Sequence, residues 1–242
     1  MSAWRAGAGA ALTGVVLAAA GILVGCAGAP APTTTTTTAM DVDAAWLDGG
    51  RLIGVVTWGS SSCVPVAASA ALGADGTLAV TLEDAPASEG GTPRACTADH
   101  APRVSLVDVP QGVDPATGVG LHVTYGAGAG ETALAAAPGL TRPDTPSDNA
   151  PSAGWTGTPG MFAFVTWGSS SCVPAVKDVA ATGDAQVTLT FAEPAADRVC
   201  TMDMVPRAGL AQVSGVKTAS GAQLVLAGDA FAGVAVPIVG GG

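Results

Sequence analysis

The sequence predicts an all-β protein: two tandem small β-sandwich or barrel-like modules, each with one disulfide, behind an N-terminal lipoprotein signal and a Thr/Pro tether. Composition, an internal repeat and the placement of the cysteines carry that expectation. Apolar residues make up 48% of the 242 positions, but aromatics only 4%, and there are 34 glycines and 17 prolines. That is too turn-rich for a helical bundle and too apolar for a disordered chain.

The repeat is the most informative signal. Thr57-Trp58-Gly59-Ser60-Ser61-Ser62-Cys63-Val64-Pro65 returns, residue for residue, as Thr166-Trp167-Gly168-Ser169-Ser170-Ser171-Cys172-Val173-Pro174, shifted by 109 positions. Trp46 matches Trp155 at the same shift, and Val80-Thr81-Leu82 matches Val187-Thr188-Leu189 after a small deletion. Further on, Cys96-Thr97-Ala98-Asp99 with Pro102-Arg103 answers Cys200-Thr201-Met202-Asp203 with Pro206-Arg207. The copies are expected to run over residues 43–137 and 153–242, joined by a Pro-rich linker at 138–152.

Before the repeat, residues 1–25 have the form of a lipoprotein signal peptide: Arg5, an apolar stretch from Ala10 to Val24, then Leu23-Val24-Gly25-Cys26. The apolar run is broken by Gly14 and Gly21 and lacks a charged stop-transfer flank, which argues against a transmembrane helix. Cys26 is then the lipidated residue and the first of the mature chain, and residues 26–42, with six consecutive threonines, form its tether to the membrane.

Within the copies, Leu52 to Trp58 and Met161 to Trp167 are apolar, β-branched runs that stop at Gly-Ser-Ser-Ser, as strands entering turns do. Thr77 to Leu82 and Gln186 to Phe191 alternate in polarity, each after a turn, Ala74-Asp75-Gly76 and Thr182-Gly183-Asp184. Arg103 to Val109, Leu121 to Tyr125 and Leu224 to Ala227 add strands. Glu131 to Ala137 is alanine-rich and suits a turn of helix.

Five cysteines less Cys26 leave two per copy, so Cys63 pairs with Cys96 and Cys172 with Cys200 if each module is self-contained. Export to an oxidising compartment permits this. A metal site is not expected, because the second copy has no histidine. Nothing in the sequence calls for a cofactor, since no phosphate-binding glycine loop is present.

The balance of 9 basic to 19 acidic residues, a formal charge of −10, repels phosphate backbones and excludes nucleic acid as the expected partner. A serine nucleophile would need a base, yet His100 and His122, the only histidines, lie in the first copy alone. No enzyme is expected, and a hydrolase is the weakest reading. The candidate contact residues are Trp58, Ser60 and Ser61 with Trp167, Ser169 and Ser170, where hydroxyls flank an aromatic ring. The competing reading buries these tryptophans against the disulfides. Arg103 and Arg207 are the candidates for an anionic group, against an alternative in which each pairs with Asp99 or Asp203, or the aspartate caps a turn.

With its signal, repeat and cysteines, the chain resembles two-copy lipoproteins of high-GC Gram-positive bacteria that carry a Trp/Tyr-Gly-Ser-Ser-Ser-Cys segment followed by Cys-Thr-x-Asp. The resemblance covers both copies and implies class and location, with no activity, ligand or catalytic residue. The expected function is a non-catalytic surface module contacting an envelope polymer, a small ligand or another protein. The alternative is a structural envelope protein without a ligand.

Overall fold

A computed structural model describes residues 37–87, 94–216 and 221–240. The signal segment, Cys26 and most of the tether lie outside the described residues. The described chain is all-β, with a single 3-10 turn at Asp48–Gly50.

The first repeat supplies β2 (Val42–Leu47), β3 (Leu52–Gly59), β4 (Val66–Leu72), β5 (Thr77–Glu83), β6 (Ala101–Asp108), β7 (Val119–Tyr125) and β8 (Gly128–Leu134). A short β1 (Thr38–Ala39) precedes them and pairs in parallel with β8. The last residues assigned to the tether are therefore part of a sheet, because the main-chain groups of Thr38 and Met40 find partners on Ala127 and Ala129. The second repeat supplies β9 (Ser152–Trp155), β10 (Met161–Gly168), β11 (Val176–Gly183), β12 (Gln186–Phe191), β13 (Val205–Gln212), β14 (Gln223–Gly228) and β15 (Phe231–Val239).

The strand order β4-β5-β7-β8 in one sheet and β2-β3-β6 in another is matched by β11-β12-β14-β15-β9-β10-β13 in a single sheet. In both halves a parallel crossover joins β5 to β7 and β12 to β14, because the intervening strand lies beside β3 or β10 instead. Cys63–Cys96 and Cys172–Cys200 are both bridged, as pairing within each copy predicts. The outermost strands β4 and β11 both carry register shifts, one between Ala67 and Ser69 and two in β11.

The alternation seen in the sequence places Leu78, Val80 and Leu82, with Ile53, Val55, Leu121 and Val123, in the first core. Phe162, Phe164, Val187, Leu189 and Leu224 fill the second. Glu131 to Ala137 is not helical; β8 runs to Leu134, since the edge of β7 needs a partner more than an alanine-rich stretch needs a helix.

Core volume is balanced by compensation between neighbouring strands. Val55 faces Ser105 across β3 and β6, whereas Phe164 faces Gly209 at the corresponding place on β10 and β13. A Cβ at Gly209 would stand 2.3 Å from Phe164 Cζ. Gly209→Ala is expected to destabilise by about 1–3 kcal/mol through overpacking, measured by urea unfolding. Phe164→Val in the same chain should recover most of that loss, a coupling that independent sites would not show.

Residues 138–152 form no strand before Ser152, yet they are held to the first half. Arg51 Nε donates to Thr145 O at 2.9 Å and Arg51 Nη2 to Pro146 O at 3.2 Å. Ser147 Oγ donates to the Asp48 carboxylate at 2.9 Å.

Candidate functional site

Each Trp-Gly-Ser-Ser-Ser-Cys segment leaves its strand and folds onto the Cys-Thr-x-Asp segment that the disulfide brings alongside it. Ser60 Oγ lies 2.8 Å from Thr97 Oγ1, Thr97 N donates to Ser62 Oγ at 3.0 Å, and Ser61 N donates to Asp99 Oδ1 at 3.1 Å. The Thr97 hydroxyl also donates to Asp99. The second half repeats the pattern: Ser169 Oγ to Thr201 Oγ1 at 2.7 Å, Thr201 N to Ser171 Oγ at 3.0 Å, Ser170 N to Asp203 Oδ1 at 3.1 Å. The hydroxyls offered by the sequence as ligand contacts are thus engaged with one another, although Ser61 and Ser170 remain exposed.

Arg103 and Arg207 are not paired with these aspartates. The Arg103 side chain is buried and donates to the main-chain carbonyls of Ser60 and Cys63 and to Thr57 Oγ1. Arg207, partly buried, donates to Cys172 O at 3.0 Å and Trp167 O at 2.9 Å. Each planar guanidinium closes the carbonyl side of a serine turn, which is neither the ion pair with the aspartate nor the alternative of an arginine turned to solvent for an anion. Gly59 and Gly168 are required beneath it: a Cβ there would stand 2.8 Å from Arg103 Cζ or 2.9 Å from Arg207 Cζ. The aspartates act as acceptors for the serine turn instead.

Hydrogen bonds from the Thr97 hydroxyl, then from Ser61, hold the Asp99 carboxyl down to about 2, and Thr201 and Ser170 do the same for Asp203. A carboxyl with a lowered folded value stabilises above its ordinary value of 3.8 and loses that contribution as pH falls toward 2. Both turns are therefore expected to open together between about pH 4 and pH 2. The amide signals of Ser61 and Ser170, followed by NMR across that range, check this.

The repeated serine turn is accordingly a clip held by its own side chains, and the open surface lies beside the tryptophan that precedes it. No family model, curated protein or solved structure matches the chain. The site is therefore read from its own residues.

The four repeat-matched tryptophans divide into two kinds. Trp46 and Trp155 are 2% and 4% exposed, and Trp46 Nε1 donates to Ala135 O at 3.0 Å. Trp58 and Trp167 are only partly buried. Trp167 packs against the apolar cluster of Ala163 and Val165, whereas Trp58 forms a wall shared by two adjoining clefts. One, of about 610 Å³, is lined by Met40 to Asp43, Trp58, Glu131, Thr132, Gly157 and Thr158. The other, of about 310 Å³, runs from Thr38 to Asp41 past Trp58 to His100 and Gly128. A third, of about 260 Å³, continues from Gly157 and Thr158 along Ala133–Ala135 to the edges of Trp46 and Trp155. The first shares Met40, Asp41 and Trp58 with the second and Gly157 and Thr158 with the third, a groove of adjoining clefts beside β1, β2 and β8.

Asp41 and Glu131 supply the groove's outward carboxylates, Glu131 lying 3.5 Å from His122. Asp43 is instead consumed: its carboxylate accepts from Gly157 N at 2.7 Å and Thr158 N at 2.8 Å and so holds the far wall. Sequence reasoning marks Trp58 and His100 but not Asp41, Asp43, Glu131, Gly157 or Thr158.

A second polar group is confined to the first half. Tyr125 donates to Asp84 and lies under the Arg103 guanidinium, 5.4 Å from ring centroid to Cζ. The bond to Asp84, then burial, pushes the Tyr125 phenol above its ordinary value. A cavity of about 200 Å³ beside Asp84 reaches the Cys63–Cys96 bridge and Arg94. In the second half the strand registers put Glu193 and Gly228 at the places of Asp84 and Tyr125, so this cluster is not duplicated. Among the described residues no serine hydroxyl is hydrogen-bonded to a histidine, and no group of three or more His, Cys, Asp or Glu side chains is placed to hold a metal ion.

Proposed function

We propose that the chain is a membrane-anchored extracytoplasmic lipoprotein whose folded part is a non-catalytic module binding an envelope polymer along the Trp58 groove. The carrying observation is that Trp58 borders two adjoining open clefts while its repeat-matched neighbours Trp46 and Trp155 are almost fully buried. An aromatic face beside Asp41, Thr132 and Glu131 suits a hydroxylated chain, stacking against apolar ring faces while polar groups fix its direction. Three clefts with shared walls suit an extended ligand better than a compact one. The two disulfides fit an oxidising compartment. The lipid on Cys26 would hold the module on the membrane, and β1 begins 12 residues after it, a reach of about 40 Å when extended.

The structural reading without a ligand is favoured by one observation, the mutual satisfaction of the serine, threonine and aspartate groups in both clips. Tryptophan emission and iodide quenching of the full chain in detergent, recorded with and without cell-wall glycan, separate the two readings. Binding predicts a blue shift and loss of quenching on addition of the glycan, both abolished by Trp58→Phe. Emission that ignores every envelope fraction would leave the structural reading in place.

A further inference from the structure

We infer that the two halves meet through the same face of each about a local two-fold axis, so that the chain is a dimer of modules closed within one polypeptide and carries a single groove. The shift of 109 residues makes Ser152 the counterpart of Asp43, and Gly157 the counterpart of Asp48. The Asp43 side chain accepts from Gly157 N at 2.7 Å, and the Ser152 side chain accepts from Asp48 N at 2.7 Å. The same contact is thus made in both directions, which is the mark of an isologous interface.

The centre of that interface bears the same mark. Gly54 and Ala163 are counterparts, and a Cβ at Gly54 would stand 3.3 Å from Ala163 Cβ. Equivalent residues touch each other only where an axis passes between them. Around the pair, Leu47 and Val104 from the first half and Val165 from the second share one buried cluster, with Leu106 and Leu210, themselves counterparts, packed on it. This apolar layer is separate from the cores of the two halves, and it would be exposed on either half alone.

The symmetry stops at one turn. Gly157 and Thr158 face the open groove, but at their counterparts, Asp48 and Gly49, the chain between the halves lies on the surface. Ser147 bonds Asp48 there, and Pro143 Cδ comes within 3.7 Å of a Cβ built on Gly49. Duplication has therefore left one groove, walled by both halves, in place of two.

Two measurements on the full chain test this without any ligand. Gly54→Cys with Ala163→Cys should form a third disulfide, found by mass spectrometry of the unreduced chain, since a shift of a few tenths of an ångström brings the two Cβ atoms into bridging range. Independently, a specific protease site inserted between Asn149 and Ala150 should, after cleavage, give halves that co-elute at the uncut volume and part only in denaturant. Halves that elute separately after cleavage, or a pair of introduced thiols that stays reduced in a chain with native tryptophan emission, would overturn the two-fold arrangement.

Discussion

Arg103→Ala is expected to lower the unfolding free energy by about 3–5 kcal/mol, because hydrogen bonds from a charged donor contribute about 1.5–3 kcal/mol each and two carbonyls lose theirs together. The guanidinium is buried and holds Ser60 O and Cys63 O, so water cannot replace it without opening the turn. Arg103→Lys should recover little, since an ammonium presents one point where the fork presents several. Urea unfolding gives the loss. NMR of the Ser61 amide, which loses its bond to Asp99 when the turn opens, shows where it occurs. An arginine serving only a ligand would leave stability unchanged.

Replacing Cys63 and Cys96 by alanine is expected to lower stability by more than the about 3–4 kcal/mol that the chain-entropy model gives for closing a 33-residue separation. The excess arises because the bridge also delivers Thr97 and Asp99 to the serine turn. Cys172 with Cys200 encloses a nearly equal separation of 28 residues, so the bare entropic loss is closely similar in the second half. Thermal unfolding of the two double variants compares them. A smaller change at Cys172–Cys200 would point to the linked aromatic rings of Phe162, Phe164 and Phe191 as the stronger anchor of that half.

The strands that fill the cores are legible because their alternation survives in the sequence, as in Leu78, Val80 and Leu82. The pairing of the cysteines is legible from the repeat alone. β4 and β11 are not, since edge strands such as Val66–Leu72 are mostly exposed and carry no period-two apolar signal. β9 escapes notice because Ala153 and Gly154 are too small to mark a strand, yet only small residues fit there: a Cβ on Gly154 would stand 2.2 Å from Trp46 O. For the site, Trp58 and His100 are visible and the rest of their surroundings is not. Asp41, Glu131 and Thr158 meet through sheet pairing and packing between halves, neither of which leaves a local trace. The arginines mislead because spacing puts Asp99 near Arg103 in sequence, while the fold turns one to amides and the other to carbonyls.

The register shifts in β4 and β11 bear on how many such molecules can stand side by side. A straight outermost strand offers a row of unpaired amides and carbonyls to any neighbour that meets it in solution. The extra residues at Ala67–Ser69 and in β11 break that row and twist the strand away from a flat partner. Crowded molecules can then slide past one another without zippering into a continuous sheet.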